Sequence, residues 1–182
     1  MQPLLPDGSV YSITTYNKGY GAKAMEQKFL CDEMLAGLGK WLRVAGYDTL
    51  IATPGTDDRE LLECAMNQKR TLLTRDRNFL QRRDAEGVVF LLHGNGMESW
   101  VVQLNRELQI NWLLAPFSRC LLCNGELIHG PGEFKEQMPA YVLKENVPCF
   151  HCPDCGKPFW EDGHVERMRS KLKQWSTIAA IQ

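Results

Sequence analysis

The chain has 182 residues, 44% of them hydrophobic and 24% charged, which suits one medium soluble domain with a small appendage. Its 21 basic and 22 acidic residues leave a net charge of −1. That balance excludes a globally basic nucleic-acid binder, so any contact with a polyanion must come from local patches. No apolar run reaches membrane-spanning length, and the N-terminus lacks the basic start and apolar core of a signal peptide. Seven cysteines without an even framework suit a reducing compartment, and the expected location is cytoplasmic.

Residues 1–27 are polar, carry Gly and Pro, and read as a loose arm with one short strand around Val10 to Thr15. Lys28 to Asp32 is an apolar run that predicts a buried strand. Met34 to Gly46 predicts a helix with Leu35, Leu38, Leu42 and Ala45 on one face and Gly46 closing it. Tyr47 to Thr53 follows as a second strand. A helix then opens at Asp57-Asp58, with Leu61, Leu62 and Ala65 facing inward. Arg70 to Thr74 predicts a third strand, and Arg75 to Arg83 a turn with a short basic helix. Gly87 to His93 predicts a fourth strand, and Met97 to Leu108 a helix with Trp100, Val101, Leu104 and Leu108 on its apolar side. Strands alternating with helices imply an α/β fold with a parallel sheet covered on both faces.

The pattern breaks near Pro116, and the predicted division is 28–115 for the sheet unit and 116–182 for a small ribbon with a basic terminal helix from His164 to Trp175. Two cysteine knuckles mark the ribbon: Cys120-Leu-Leu-Cys123-Asn-Gly125 and Cys152-Pro-Asp-Cys155-Gly156, with 28 residues between them. Each turn aims two thiolates at one point, and two turns complete a tetrahedral four-cysteine site suited to zinc. A redox pair is the competing reading, but it needs one such motif, not two. Cys149 shares a CxxC spacing with Cys152 yet lacks the trailing glycine, so it is expected outside the site. His164 reads as a reserve ligand, a general acid or a structural residue, and His93 stays open.

Three aspartates fall where an open parallel sheet gathers its ligand residues, beyond the carboxyl ends of the strands. Asp32 ends the first strand, Asp58 starts the helix after the second, and Asp76 follows the third. Clustered carboxylates repel one another unless a cation intervenes, and Mg²⁺ or Mn²⁺ fits oxygen donors of this kind. Such a site performs phosphoryl chemistry. Asp58 also reads as a plain N-cap, and Asp76 as a cap of the turn after it. Arg75 and Arg77 flank Asp76 and are candidates to grip phosphate. Arg82 and Arg83 read equally as a solvated face, and Lys69 and Arg70 lie just before the third strand as further basic neighbours. Trp175 is expected to dock onto the domain, although it could stack a base.

Several of these segments occur in an order found elsewhere. Phe29-Leu-Cys-Asp32-Glu33, Gly46-Tyr-Asp48, Asp58-x-x-Leu-Leu-x-x-Ala65 and Arg70-Thr-Leu-Leu-Thr-Arg-Asp76-Arg precede the two knuckles, and Cys152-x-x-Cys155-Gly-Lys-Pro-Phe-Trp160 ends the series. Together they resemble the PIN-like nucleases and, more narrowly, the Mut-7 C-terminal RNase domain family, over roughly Lys28 to Leu172. The resemblance implies a metal-dependent ribonuclease acting on RNA, with Asp32, Asp58 and Asp76 as its acidic residues. The chain departs from related sequences at Asn78, where a further aspartate is common; Glu33 and Asp57 are the acidic neighbours that could compensate. Asn78 favours a second reading, a binding module that keeps the fold with little catalysis. A toxin-type nuclease with a protein antitoxin is a third, and the ribbon argues against it.

Overall fold

Along the first strand, successive side chains enter opposite cores. Phe29 and Cys31 pack with Leu38, Leu42 and Leu73, whereas Leu30 packs with Leu61, Leu62, Ala65 and Leu72. This period of two on a sheet buried from both sides explains why the strand sequences are continuously apolar. The structure, a computed structural model, describes residues 27–178; the expected strand around Val10 to Thr15 lies outside them.

Strands β1 (Lys28–Cys31), β2 (Asp48–Ile51), β3 (Thr71–Thr74) and β4 (Val89–Leu91) form one parallel sheet in the order β2-β1-β3-β4. Helix α1 (Ala36–Ala45) covers one face and α2 (Asp58–Asn67) the other. Each leucine buried this fully contributes about 1.5–3 kcal/mol. Helix α3 (Met97–Gln103) packs with α1's core and runs into a π turn over Leu104–Leu108, so the single helix expected to Leu108 changes its winding. The turn and short basic helix expected over Arg75 to Arg83 are instead two 3₁₀ turns, Arg77–Gln81 and Arg83–Ala85.

Gly46 closes α1 at φ 104, where a Cβ would also stand 2.6 Å from the Ala115 carbonyl oxygen. Both backbone conformation and space require glycine there.

The ribbon holds a smaller antiparallel sheet of β5 (Ile128–His129), β6 (Cys149–His151) and β7 (Pro158–Trp160), with helix α4 (Ala140–Lys144) between β5 and β6. The last helix, α5 (Gly163–Ile178), returns to the first core. Its Leu172 and Trp175 are fully buried, and Trp175 meets Trp41 and Trp112 edge-on at centroid distances of 4.7 and 4.9 Å. Trp175 is thus a docking residue. Among the described residues, no helix is long and apolar enough to cross a membrane.

Candidate active site and metal centre

The strand order sets the acidic edge. The chain leaves β1 through α1 to reach β2 on one side, then crosses by α2 on the other face to β3 on β1's far side. The carboxyl ends of β1 and β3 therefore flank a topological switch point, the place where open α/β sheets leave a crevice. Asp32 follows β1 directly and Asp76 lies two residues past β3.

Thr74 joins them. Its buried hydroxyl donates to Asp32 Oδ2 at 2.7 Å and accepts the backbone N–H of Asp76 at 3.0 Å. Asp76 in turn accepts the Asn78 backbone N–H at 2.9 Å, with a longer contact from Asn78 Nδ2 at 3.4 Å to its other oxygen. Asp76 therefore caps the turn after it, as one reading expected, while keeping its place at the sheet edge.

Asp58 is the first residue of α2, and the cap is its neighbour: Asp57 accepts the Arg59 backbone N–H at 2.8 Å. The N-cap reading of Asp58 is corrected by this geometry. Burial pushes the Asp58 carboxyl above its ordinary range, and the charge of Asp76 pushes it further; Arg82 opposes, and Asp57 and Asp32 add to the rise. The three carboxylates thus share one electrostatic neighbourhood. Among the described residues they do not close to the mutual 4.8 Å spacing that the four cysteines reach. Mg²⁺ keeps several waters and takes one or two carboxylates directly, so a wider set still serves it. Glu33 ends elsewhere on this edge, accepting the Gly55 backbone N–H at 2.8 Å in the loop before α2.

The basic residues separate. Arg75 and Arg77 are exposed beside Asp76, and Arg75 Nη2 donates to Asn95 Oδ1 at 2.7 Å. Arg70 lies at the opposite end of β3, buried, donating to both oxygens of Asp48 at 2.8 and 3.2 Å. Burial pushes Asp48 up, but hydrogen bonds from Arg70 and Asn124 outweigh it and hold that carboxyl below its usual range. On α5, Arg169 pairs with Glu161 at 2.6 Å and Lys171 pairs with Glu98. His93 is exposed, and the side-chain amide of Gln103 brackets its backbone.

The second centre is the knuckle pair. The Sγ atoms of Cys120, Cys123, Cys152 and Cys155 all lie within 4.8 Å of one another, with Cys120 to Cys155 at 3.6 Å and Cys123 to Cys152 at 3.3 Å. Four sulfurs about 2.3 Å from a tetrahedral zinc stand about 3.8 Å apart, close to these spacings. Burial pushes the Cys120 thiol up to about 12, so a cation is what makes thiolates favourable there. Gly156 takes φ 68 in the second knuckle, but in the first the left-handed residue is Asn124 at φ 75. Gly125 serves space instead, since a Cβ there would collide with Asp154. Cys149 sits apart in a small core with Met138 and Val142, and His164 is exposed, its backbone N–H donating to Asp162 at 2.8 Å.

Sequence reasoning missed the residues that join the first knuckle to the sheet. Arg43, buried on α1, donates from Nε to Thr49 O at 2.8 Å and from Nη1 to the Leu121 and Leu122 carbonyls, each at 2.9 Å, inside the first knuckle. Asn124 Oδ1 accepts the Thr49 N–H at 2.9 Å and its Nδ2 donates to Asp48 at 2.7 Å, covering the open edge of β2. Arg119 donates to the Gly46 carbonyl at 3.2 Å. An arginine beside an apolar helix face and a threonine ending an apolar strand were the available signals for Arg43 and Thr74.

The sequence matches the family model described as the Mut7-C RNAse domain over residues 27–172. No curated protein and no solved structure matches it.

Proposed function

Since the chain belongs to the Mut7-C RNase domain family, we propose that it is a metal-dependent endoribonuclease that hydrolyses RNA phosphodiester bonds at the Asp32, Asp58 and Asp76 edge. The observation that carries this reading is the Thr74 hydroxyl, which binds the Asp32 carboxylate and the Asp76 backbone at the switch point, with Asp58 held in their field. The donor set fits a hard cation. Asp32 is buried, its Oδ2 is bonded by Thr74, and among the described residues no group donates to its Oδ1. A carboxylate with one oxygen fixed and the other open offers that second oxygen to a hard cation. Mg²⁺ or Mn²⁺ held by Asp32, Asp58 and Asp76 would supply phosphate polarisation and an activated water.

The chain's own residues supply the positioning. Thr74 orients Asp32, and the turn at Asn78 orients Asp76. Arg75 and Arg77 bring positive charge to the acidic edge, where an incoming RNA backbone needs it. The four cysteines take zinc as a structural clip. Residues 116–162 carry seven acidic and four basic residues. That excess supports a scaffold role for the ribbon and leaves RNA attraction to the sheet edge. We treat 28–115 as the nuclease unit and 116–182 as the ribbon unit with α5 folded back onto it, in a soluble, cytoplasmic setting.

A second reading has one observation in its favour. Asn78 stands where an extra carboxylate would serve a second metal, and it donates to Asp76. A binding module with weak catalysis would follow from that loss. Incubating mixed cellular RNA with the full chain in Mg²⁺ or Mn²⁺, beside Asp76→Asn, separates the readings. Cleavage lost in the variant supports the nuclease; no cleavage by either, with RNA still bound, supports the module.

A further inference from the structure

Arg75 adjoins Asp76 in sequence, yet among the described residues its side chain forms no ion pair with a carboxylate. Nη2 donates to Asn95 Oδ1 at 2.7 Å, and the guanidinium carbon lies 5.5 Å from the centre of the Trp100 ring. Both partners are neutral and both come from one stretch, the β4–α3 loop and the start of α3. Trp100 is itself fixed, donating from Nε1 to the Gly94 carbonyl at 3.3 Å and packing against the main core.

Other arginines contrast with this arrangement. Arg59, Arg70, Arg106, Arg119 and Arg169 all end on carboxylates. Among the described residues Arg75, like its neighbours Arg77, Arg82 and Arg83, pairs with none, and what sets it apart from them is the amide oxygen and ring face that hold it. A guanidinium held by an amide oxygen and a ring face keeps its full charge and most of its five N–H donors. A rigid fork of this kind matches phosphate, and holding it in advance lowers the ordering cost of binding. Its place is the carboxyl end of β3, the same edge as the three aspartates.

We propose that Trp100 and Asn95 are positioning residues that hold Arg75 as an anchor for a backbone phosphate of single-stranded RNA entering the aspartate edge. This rests on RNA being the substrate, and it separates Arg75 from Arg77, which has no such support.

The test measures binding apart from cleavage. Full-length Asp58→Asn protein is titrated onto fluorescein-labelled polyuridylate in Mg²⁺, with fluorescence anisotropy read over a salt series and RNA integrity checked on gels. Adding Arg75→Ala is expected to weaken binding about tenfold or more and to lower the salt slope by about one. Trp100→Leu and Asn95→Ala, each checked for folding by circular dichroism, are expected to weaken it several-fold. Neither is expected to weaken it further once Arg75 is alanine. Arg75→Ala binding as the parent does, or Trp100→Leu and Asn95→Ala adding their full effects to Arg75→Ala, overturns the inference. If unmutated protein never cleaves RNA but the Arg75 pattern holds, the anchor stands and the nuclease reading fails. If it cleaves and the pattern is missing, the reverse follows.

Discussion

Thr74 Oγ1 donates to Asp32 Oδ2 at 2.7 Å while accepting the Asp76 N–H, so one buried hydroxyl fixes two carboxylate-bearing segments relative to each other. Thr74→Val keeps the shape and removes both bonds. It should cost about 1–3 kcal/mol of stability, because a buried carboxylate oxygen and an amide lose their partner. It should also lower RNA cleavage, while Thr74→Ser retains most of both. Urea unfolding and a cleavage assay on the same preparations check this; unchanged stability and cleavage in Thr74→Val would remove Thr74 from the site.

The four-cysteine cluster, read as a zinc site, predicts a stoichiometry. One zinc per chain is expected in the purified protein, measured by elemental analysis. Cys152→Ser should lose it and Cys149→Ser should not, since Cys149 lies in a separate core. Zinc kept in the first variant and lost in the second would reverse the ligand assignment.

Arg43 and Asn124 predict that metal removal reaches the sheet. The Thr49 N–H is held by Asn124 Oδ1, and Asn124 follows the knuckle cysteine Cys123 directly. Hydrogen exchange should therefore find the Thr49 amide protected in zinc-loaded protein and fast after chelation. Arg43→Met leaves the Thr49, Leu121 and Leu122 carbonyls without that donor and should cost on the order of 3 kcal/mol. Equal Thr49 protection with and without zinc would mean that the knuckle only rests on the sheet.

How much of this was legible follows from which forces were local. Strand and helix identity in the sheet unit showed in the sequence, because burial on both faces leaves continuous apolar strands and an amphipathic α1. The knuckles showed because ligand spacing is a local property. Asp57 and Asp58 were harder to tell apart: both precede the same apolar run, and only the backbone bond to Arg59 N–H separates cap from first helical residue. Arg70 looked like part of a basic patch around Asp76, yet β3 runs between them and sends Arg70 to Asp48 at the far end. Arg43 and Asn124 act across 78 and 75 positions of chain, beyond the reach of any local pattern.

Asp58 carries a pH signature. Its folded-state pKa is raised, so its contribution to stability is fully present below the ordinary carboxylate value of 3.8 and is lost as pH rises through the raised value. In metal-free protein Asp58→Asn should remove that loss and leave the variant the more stable form near neutral pH, with the gap closing in acid. Melting curves across that pH range check the sign. A variant less stable than the parent at neutral pH would show that burial and the neighbouring aspartates do not disfavour the Asp58 charge.

The most direct measurement is RNA cleavage by Asp32→Asn, Asp58→Asn and Asp76→Asn under saturating Mg²⁺ or Mn²⁺, with Asp57→Asn as the comparison. Asparagine preserves shape and caps a helix about as well as aspartate, so only the charge is lost. Cleavage should disappear in the first three while the fold persists, and should survive in Asp57→Asn, whose side chain serves the α2 cap. Wild-type cleavage rates in both Asp58→Asn and Asp76→Asn would contradict a three-aspartate nuclease site.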